Sequence, residues 1–162
     1  MQIKQSILQT FDQLDHLLHQ LTNEQYCQPL EILSGETIGK HVRHIVEFFQ
    51  CLIIASDTIC YDDRKREIQI ENSISYTLNE IQVIKQAINR IDPNYQLKIK
   101  QFVAGETLIF TTTRGRELIY CIDHSIHHFA IIKLAIEQTY PEILIDHSFG
   151  IAYSTLKYQA QH

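Results

Sequence analysis

Residues Arg114–Tyr140, RGRELIYCIDHSIHHFAIIKLAIEQTY, decide the fold. Leu118, Cys121, Ile122, Phe129, Ile132 and Ala135 recur at steps that place them on one broad face of an α-helix. No proline interrupts the run, and Pro141 stands where such a helix must stop. A helix this long with one apolar face needs other helices to cover it, so the stretch predicts an all-α architecture around itself.

Upstream, Leu97, Ile99 and Phe102 precede Ala104-Gly105-Glu106, and Leu108, Ile109 and Phe110 follow it. Many residues in the run are β-branched. The pattern predicts a two-stranded hairpin over Gln96–Val103 and Thr107–Thr113, which must lie on the helices or pair with another chain because a lone hairpin is marginal in water.

Before it, Ser73 caps a third helix carrying Ile74, Leu78, Ile81, Ile84 and Ile88, ending near Ile91 ahead of Asp92-Pro93. A second helix runs from Thr37 to about Thr58 on Ile38, Val42, Ile45, Phe48, Phe49 and Leu52. A first runs from Gln2 to about Asn23 on Ile3, Ile7, Phe11, Leu14, Leu18 and Leu21. The Pro- and Gly-bearing stretch Pro29–Gly39 and the charged YDDRKREIQIEN segment read as connections, the latter as a solvated loop. The tail from Pro141 reads as irregular. The expected fold is a single domain over residues 1–162, a four-helix bundle with a small β-hairpin between helices 3 and 4.

Composition narrows the function classes. At 162 residues with 44% hydrophobic content, the chain is long enough for one core and too short for two ordinary domains. The net charge of −5, with cations dispersed apart from Arg64-Lys65-Arg66, excludes the basic footprint of a nucleic-acid binder. The opening MQIKQSILQTFDQLDHLLHQL lacks a signal-peptide core and a membrane span, so a cytoplasmic protein is expected, with no membrane partner. In that compartment Cys27, Cys51, Cys60 and Cys121, which show no CxxC spacing, are expected to be free.

The chemistry sits in Asp123-His124-Ser125-Ile126-His127-His128. His124 and His128 are four residues apart, one above the other, on the stripe that should face inward. A buried imidazole without a partner costs about 1–3 kcal/mol per unsatisfied group, and one shared cation satisfies both rings. A hydrogen-bonded core network is the competing reading. On helix two the stripe Ile38, His41, Ile45, Phe48 and Leu52 has His44 at its margin, so either His41 or His44 is positioned to complete a His₃ site. Three histidines leave a tetrahedral ion one open position. No Glu follows the first histidine of the pair, which argues against zincin-type protease chemistry.

Two blocks carry a resemblance to a known family: Thr37-Ile38-Gly39-Lys40-His41-Val42-Arg43-His44-Ile45-Val46-Glu47 and His124-Ser125-Ile126-His127-His128-Phe129-Ala130. Together they resemble the DinB/YfiT-like superfamily of metal-dependent enzymes, sometimes grouped with bacillithiol and mycothiol transferases, and the resemblance covers nearly the whole chain. It implies an up-down-down-up bundle, frequent homodimers, and a divalent metal, zinc or nickel, held by His44, His124 and His128. One departure is that Phe129-Ala130-Ile131 follows His128 where the family commonly has Arg-Gly-Gln, which leaves the substrate class open.

The neighbours divide into candidates and bystanders. His41 reads equally as an acid/base, as a residue orienting a ligand, or as neither. Glu47 and Asp123 are candidate acceptors near the ligands, Glu47 also standing with His41 as a candidate catalytic residue, with solvated carboxylates as the ordinary alternative. Arg43, Arg64 and Arg66 are the local cations available to a low-molecular-weight thiol cofactor, with Tyr61 beside them. His127 falls about 100° round the helix from His128 and reads as a rim residue. His16, His19, His147 and His162 read as surface residues.

The functional expectation is a metal-dependent hydrolase or thiol S-transferase acting on an unknown small molecule, because an open metal position lowers the pKa of water or thiol. The alternative is a non-catalytic metal-binding or structural helical-bundle dimer.

Overall fold

The computed structural model describes residues 2–161. Its elements in chain order are α1 (Gln2–Leu18), α2 (Asn23–Cys27), α3 (Ile38–Ile54), β1 (Thr58–Ile59), α4 (Ile68–Asn72), α5 (Ile74–Ile88), β2 (Gln96–Val103), β3 (Glu106–Thr113), α6 (Arg114–Thr139) and α7 (Tyr153–Gln159). Thr37, Ser73 and Thr113 cap α3, α5 and α6 through side-chain oxygens that accept the backbone N–H groups of Lys40, Tyr76 and Arg116. The apolar stripes converge on one core. Ile7, Phe11, Leu14 and Leu18 of α1 meet Val42, Ile45 and Phe49 of α3, Ile81, Ile84 and Ile88 of α5, and Leu118, Phe129 and Ile132 of α6, all essentially solvent-free.

This architecture corrects the expected four-helix bundle with a lone hairpin. Among the described residues there are seven α-helices and a three-stranded mixed sheet in the order β1-β2-β3. β1 comes from the end of what reads in sequence as helix two. That helix stops at Ile54, with Ala55 in extended conformation, and Thr58–Ile59 pair parallel to Lys98–Ile99. A two-residue parallel strand has no sequence period, because its partner lies forty residues away in the chain. The hairpin itself pairs in register from Gln96↔Thr113 to Val103↔Glu106, closed by Ala104 and Gly105 at positive φ as a two-residue primed turn demands.

The connections are also structured. Thr22 and Gln25 form a capping box for α2, which seats Tyr26 in the core. The charged segment expected to be a solvated loop contains buried Tyr61 and the whole of α4 with buried Ile70. The Tyr26 hydroxyl (2.7 Å) and the Thr77 hydroxyl (2.7 Å) both donate to the Ile70 carbonyl. The tail expected to be irregular packs Phe149 face to face on Phe129, centroids 4.2 Å apart, and ends in α7. All four cysteines are free, and no described helix is long and apolar enough to cross a membrane.

Gly39 sets how closely α3 approaches α4. A Cβ there would lie 2.1 Å from the Glu71 carbonyl oxygen and 2.9 Å from a Tyr26 ring carbon. The first clash is with backbone and has no soft relief. Gly39→Ala should therefore cost about 2–3 kcal/mol, as overpacking does, despite the better helix propensity of alanine. The measurement is thermal unfolding, where a midpoint within about 2 °C of the parent would refute the close contact.

Candidate metal centre

α3 and α6 lie side by side and present their histidines to one another. The helical four-residue step brings His124 and His128 together, with ring centroids 4.6 Å apart and their Nε2 atoms 3.2 Å apart. From α3, the His44 ring lies 4.9 Å from His124 and 4.7 Å from His128. One nitrogen from each of the three rings falls within 4.8 Å of the others. The structure thus groups His44, rather than His41, with the helix-six pair. His41 instead places its Nδ1 2.9 Å from the Nδ1 of His128, on the far side of that ring.

The donor set fits a metal ion. Ligand nitrogens about 2.0–2.1 Å from a tetrahedral zinc stand roughly 3.3 Å apart, and the His124/His128 pair is already at that spacing. Two neutral imidazole nitrogens at hydrogen-bond distance have to share either a proton or a cation. Burial disfavours an added proton that would make either ring a cation, which leaves a neutral N–H···N bond or a shared metal ion. Loss of hydration, reinforced by Arg64 and neighbouring histidines, pushes His44 down to about 3. Desolvation, then His127 and Arg64, pushes His124 down to about 4. Desolvation, then the other histidines, lowers His128 to about 2. Neutral imidazoles are the form in which histidine ligates a metal.

An aromatic wall fixes the rings. Phe48, one turn beyond His44, stacks on His124 at 4.2 Å with 12° between planes and on His44 at 4.7 Å, and Tyr61 stacks behind Phe48 at 4.6 Å. The Tyr61 hydroxyl donates to Glu117 Oε2 (2.9 Å), whose other oxygen accepts from Thr112 on β3 (2.7 Å). The sheet therefore anchors the wall. Burial also drives the Tyr61 phenol pKa far above its usual value, so it remains a neutral donor to that carboxylate. In the sequence Tyr61 stands only beside the local cations, and Glu117, an acid in the first turn of a helix, has the signature of a solvated dipole partner rather than of a buried anchor.

The remaining candidates sit as follows. Glu47 is 1% exposed, and its carboxylate receives the Glu67 N–H and faces Arg64 Nε at 3.3 Å. It ties α3 to the segment before α4. Arg64 also donates to the Tyr61 carbonyl and lies with its guanidinium carbon 5.9 Å from the Phe48 ring centroid, so it borders the wall. Arg43 pairs with Glu71 of α4 at 2.9 Å, and Arg66 donates to the carbonyls of Asp62 and Arg64 within its own turn. Asp123 and His127 are exposed, the latter 5.5 Å from the His128 ring. His19 is exposed and bonds to Asp15 within α1, and His162 lies outside the described residues. In comparisons with known proteins no family model, no curated protein and no solved structure matches the chain, so the centre is read from its own geometry.

Proposed function

We propose that this protein is a metal-dependent enzyme, a hydrolase or thiol S-transferase, that holds one divalent zinc or nickel ion through His44, His124 and His128. The observation that carries the reading is the cluster of His44, His124 and His128, with two of its ring nitrogens 3.2 Å apart. The likeness of its two histidine blocks to the DinB/YfiT-like superfamily supports it independently of the geometry.

Three ligands leave a tetrahedral ion one position for water or substrate. A divalent ion there supplies Lewis acidity to whatever water or thiol reaches it. The chain's own residues provide the rest. The three imidazoles, kept neutral by burial, carry one lone pair each. Phe48 and Tyr61 exclude water from one side of the rings, and Arg64 adds a fixed positive charge beside them. Glu47, 3.3 Å from Arg64 Nε, pairs with that charge, so it does not set the substrate class.

Protein purified without chelator or affinity nickel should carry one metal per chain by native mass spectrometry and elemental analysis. Metal-loaded protein should then cleave an activated ester or transfer a low-molecular-weight thiol to an electrophile, and the apo form should do neither. A chain that takes up no metal after zinc and nickel supplementation would end this reading. Metal uptake with no turnover in either assay would leave a non-catalytic binding centre.

A further inference from the structure

Both nitrogens of His128 touch other imidazoles. Nε2 lies 3.2 Å from His124 Nε2, and Nδ1 lies 2.9 Å from His41 Nδ1. The residue is only 9% exposed, so water does not stand in for either contact. A neutral imidazole has one N–H and one lone pair, which leaves two arrangements.

In the first, Nδ1 of His128 is protonated and donates to the lone pair of His41 Nδ1. His41 then carries its own proton on Nε2, and the free lone pair of His128 sits on Nε2, aimed at His124 and His44. In the second, His41 donates to His128 Nδ1. The His128 proton then sits on Nε2, inside the triad, and its lone pair is lost to any ligand there. Only the first arrangement lets His128 ligate with the nitrogen that faces the cluster.

A metal-bound histidine usually donates its second N–H to a carboxylate, carbonyl or water, which fixes its tautomer and ring angle. No such acceptor bonds to His128 among the described residues; the atom in that place is the His41 Nδ1. The two rings are tilted by 51° with centroids 5.2 Å apart, so they do not stack flat, and their Nδ1 atoms face one another. His41 is also three residues before His44, so one turn of α3 carries both a ligand and the group that orients a ligand on α6.

We infer that His41 is a positioning residue, an imidazole acceptor that holds His128 as its Nδ1–H tautomer and turns the Nε2 lone pair into the three-histidine cluster. The metal half of this statement rests on the function proposed above. The tautomer half is chosen on the same ground, since the contacts alone admit both arrangements, but it is read in the metal-free protein and is tested separately there.

The test uses the full chain with ¹⁵N-labelled histidine and two variants. His41→Phe keeps a ring and removes the acceptor, whereas His41→Asn returns an amide oxygen close to where Nδ1 stood. In metal-free parent protein, long-range ¹H–¹⁵N spectra should show His128 protonated at Nδ1. His41→Phe should shift that proton towards Nε2 and weaken Co²⁺ binding, read from its visible d–d absorption, by about 10–100-fold, the usual loss when the partner of a ligating histidine is removed. His41→Asn should recover affinity to within a small factor of the parent.

An Nε2–H tautomer in the parent overturns the inference, as does unchanged Co²⁺ affinity in His41→Phe. Complete loss of binding in both variants, with binding kept in His44→Ala, overturns it too and makes His41 a ligand. If the parent binds no Co²⁺ but shows His128 as Nδ1–H, the metal reading fails while the tautomer assignment survives. If His41→Phe does not fold, the parent spectrum still decides the tautomer.

Discussion

Replacing His124 with alanine is expected to weaken zinc or cobalt binding by roughly 100–1000-fold while leaving the helical content intact. The magnitude follows from apportioning the about 10–16 kcal/mol of four-ligand structural zinc sites, about 2.5–4 kcal/mol per ligand. The fold should survive because the ring contributes little to the core. His124 is half-buried, and the wall it leans on is braced independently by Phe48 on Tyr61 and Tyr61 on Glu117. Losing a desolvated imidazole also relieves the metal-free protein of an unfavourable burial.

The clearest readout is linkage. Metal at about 100 times its dissociation constant stabilises the native state by about 2.7 kcal/mol, or roughly 5–10 °C for a domain of this size. At the same metal concentration His124→Ala should lose nearly all of that shift. His44→Ala should behave alike, because its ring closes the triangle from the opposite helix. His128→Ala should lose the shift and also destabilise the metal-free chain, since its ring is nearly solvent-free and packs against four other histidines. A full metal-induced shift in His124→Ala would remove that residue from the centre.

What the sequence made legible is what a local period can encode. The His124/His128 pair follows from a four-residue step on a stripe whose other members, Cys121, Ile132 and Ala135, are buried as that stripe requires. The choice between His41 and His44 was beyond periodicity, because both lie on the flank of α3 that meets α6. Their separation into one group within the triad and one behind it depends on which side of the His128 ring each reaches.

Glu47 shows the same limit from another direction. One turn from His44 it reads as a candidate acceptor, yet its carboxylate is engaged by Arg64 and the Glu67 N–H, both supplied by a segment with no period of its own. The five-residue helices α2 and α4 are barely legible in the sequence for a related reason. Helices that short owe their stability to tertiary contacts, here the Tyr26 and Thr77 hydroxyls on the Ile70 carbonyl. The Thr22/Gln25 capping box was the one local signal available for α2. The mixed sheet had no local signal at all for its first strand.

Metal affinity should stay nearly constant between pH 7.5 and 5.5. Ordinary histidines titrate near 6.5, and three of them acting together would lose about 1000-fold in affinity across that window as protons displaced the ion. Here loss of hydration, with Arg64 and the mutual proximity of the rings, lowers His44 to about 3, His124 to about 4 and His128 to about 2. All three remain deprotonated throughout, so the ion displaces no proton from them, and the change in affinity should be under about threefold.

The same depression makes the fold acid-sensitive. Each folded-state value lies below the unfolded one, so the unfolded chain binds protons first. The stability held by these neutral rings is fully present above about pH 6.5 and is lost progressively as the pH falls from there towards the folded values. Each histidine sets a ceiling of about 1.4 kcal/mol per pH unit on that loss, and solvent screening at the half-buried rings of His44 and His124 keeps the real slope lower. Calorimetric titration and thermal unfolding across the window should therefore diverge. The unfolding midpoints of apo and metal-loaded protein should fall together with pH, while the gap between them stays constant. A gap that closes by pH 5.5 would mean that the three histidines titrate like exposed ones and that the neutral cluster does not exist in solution.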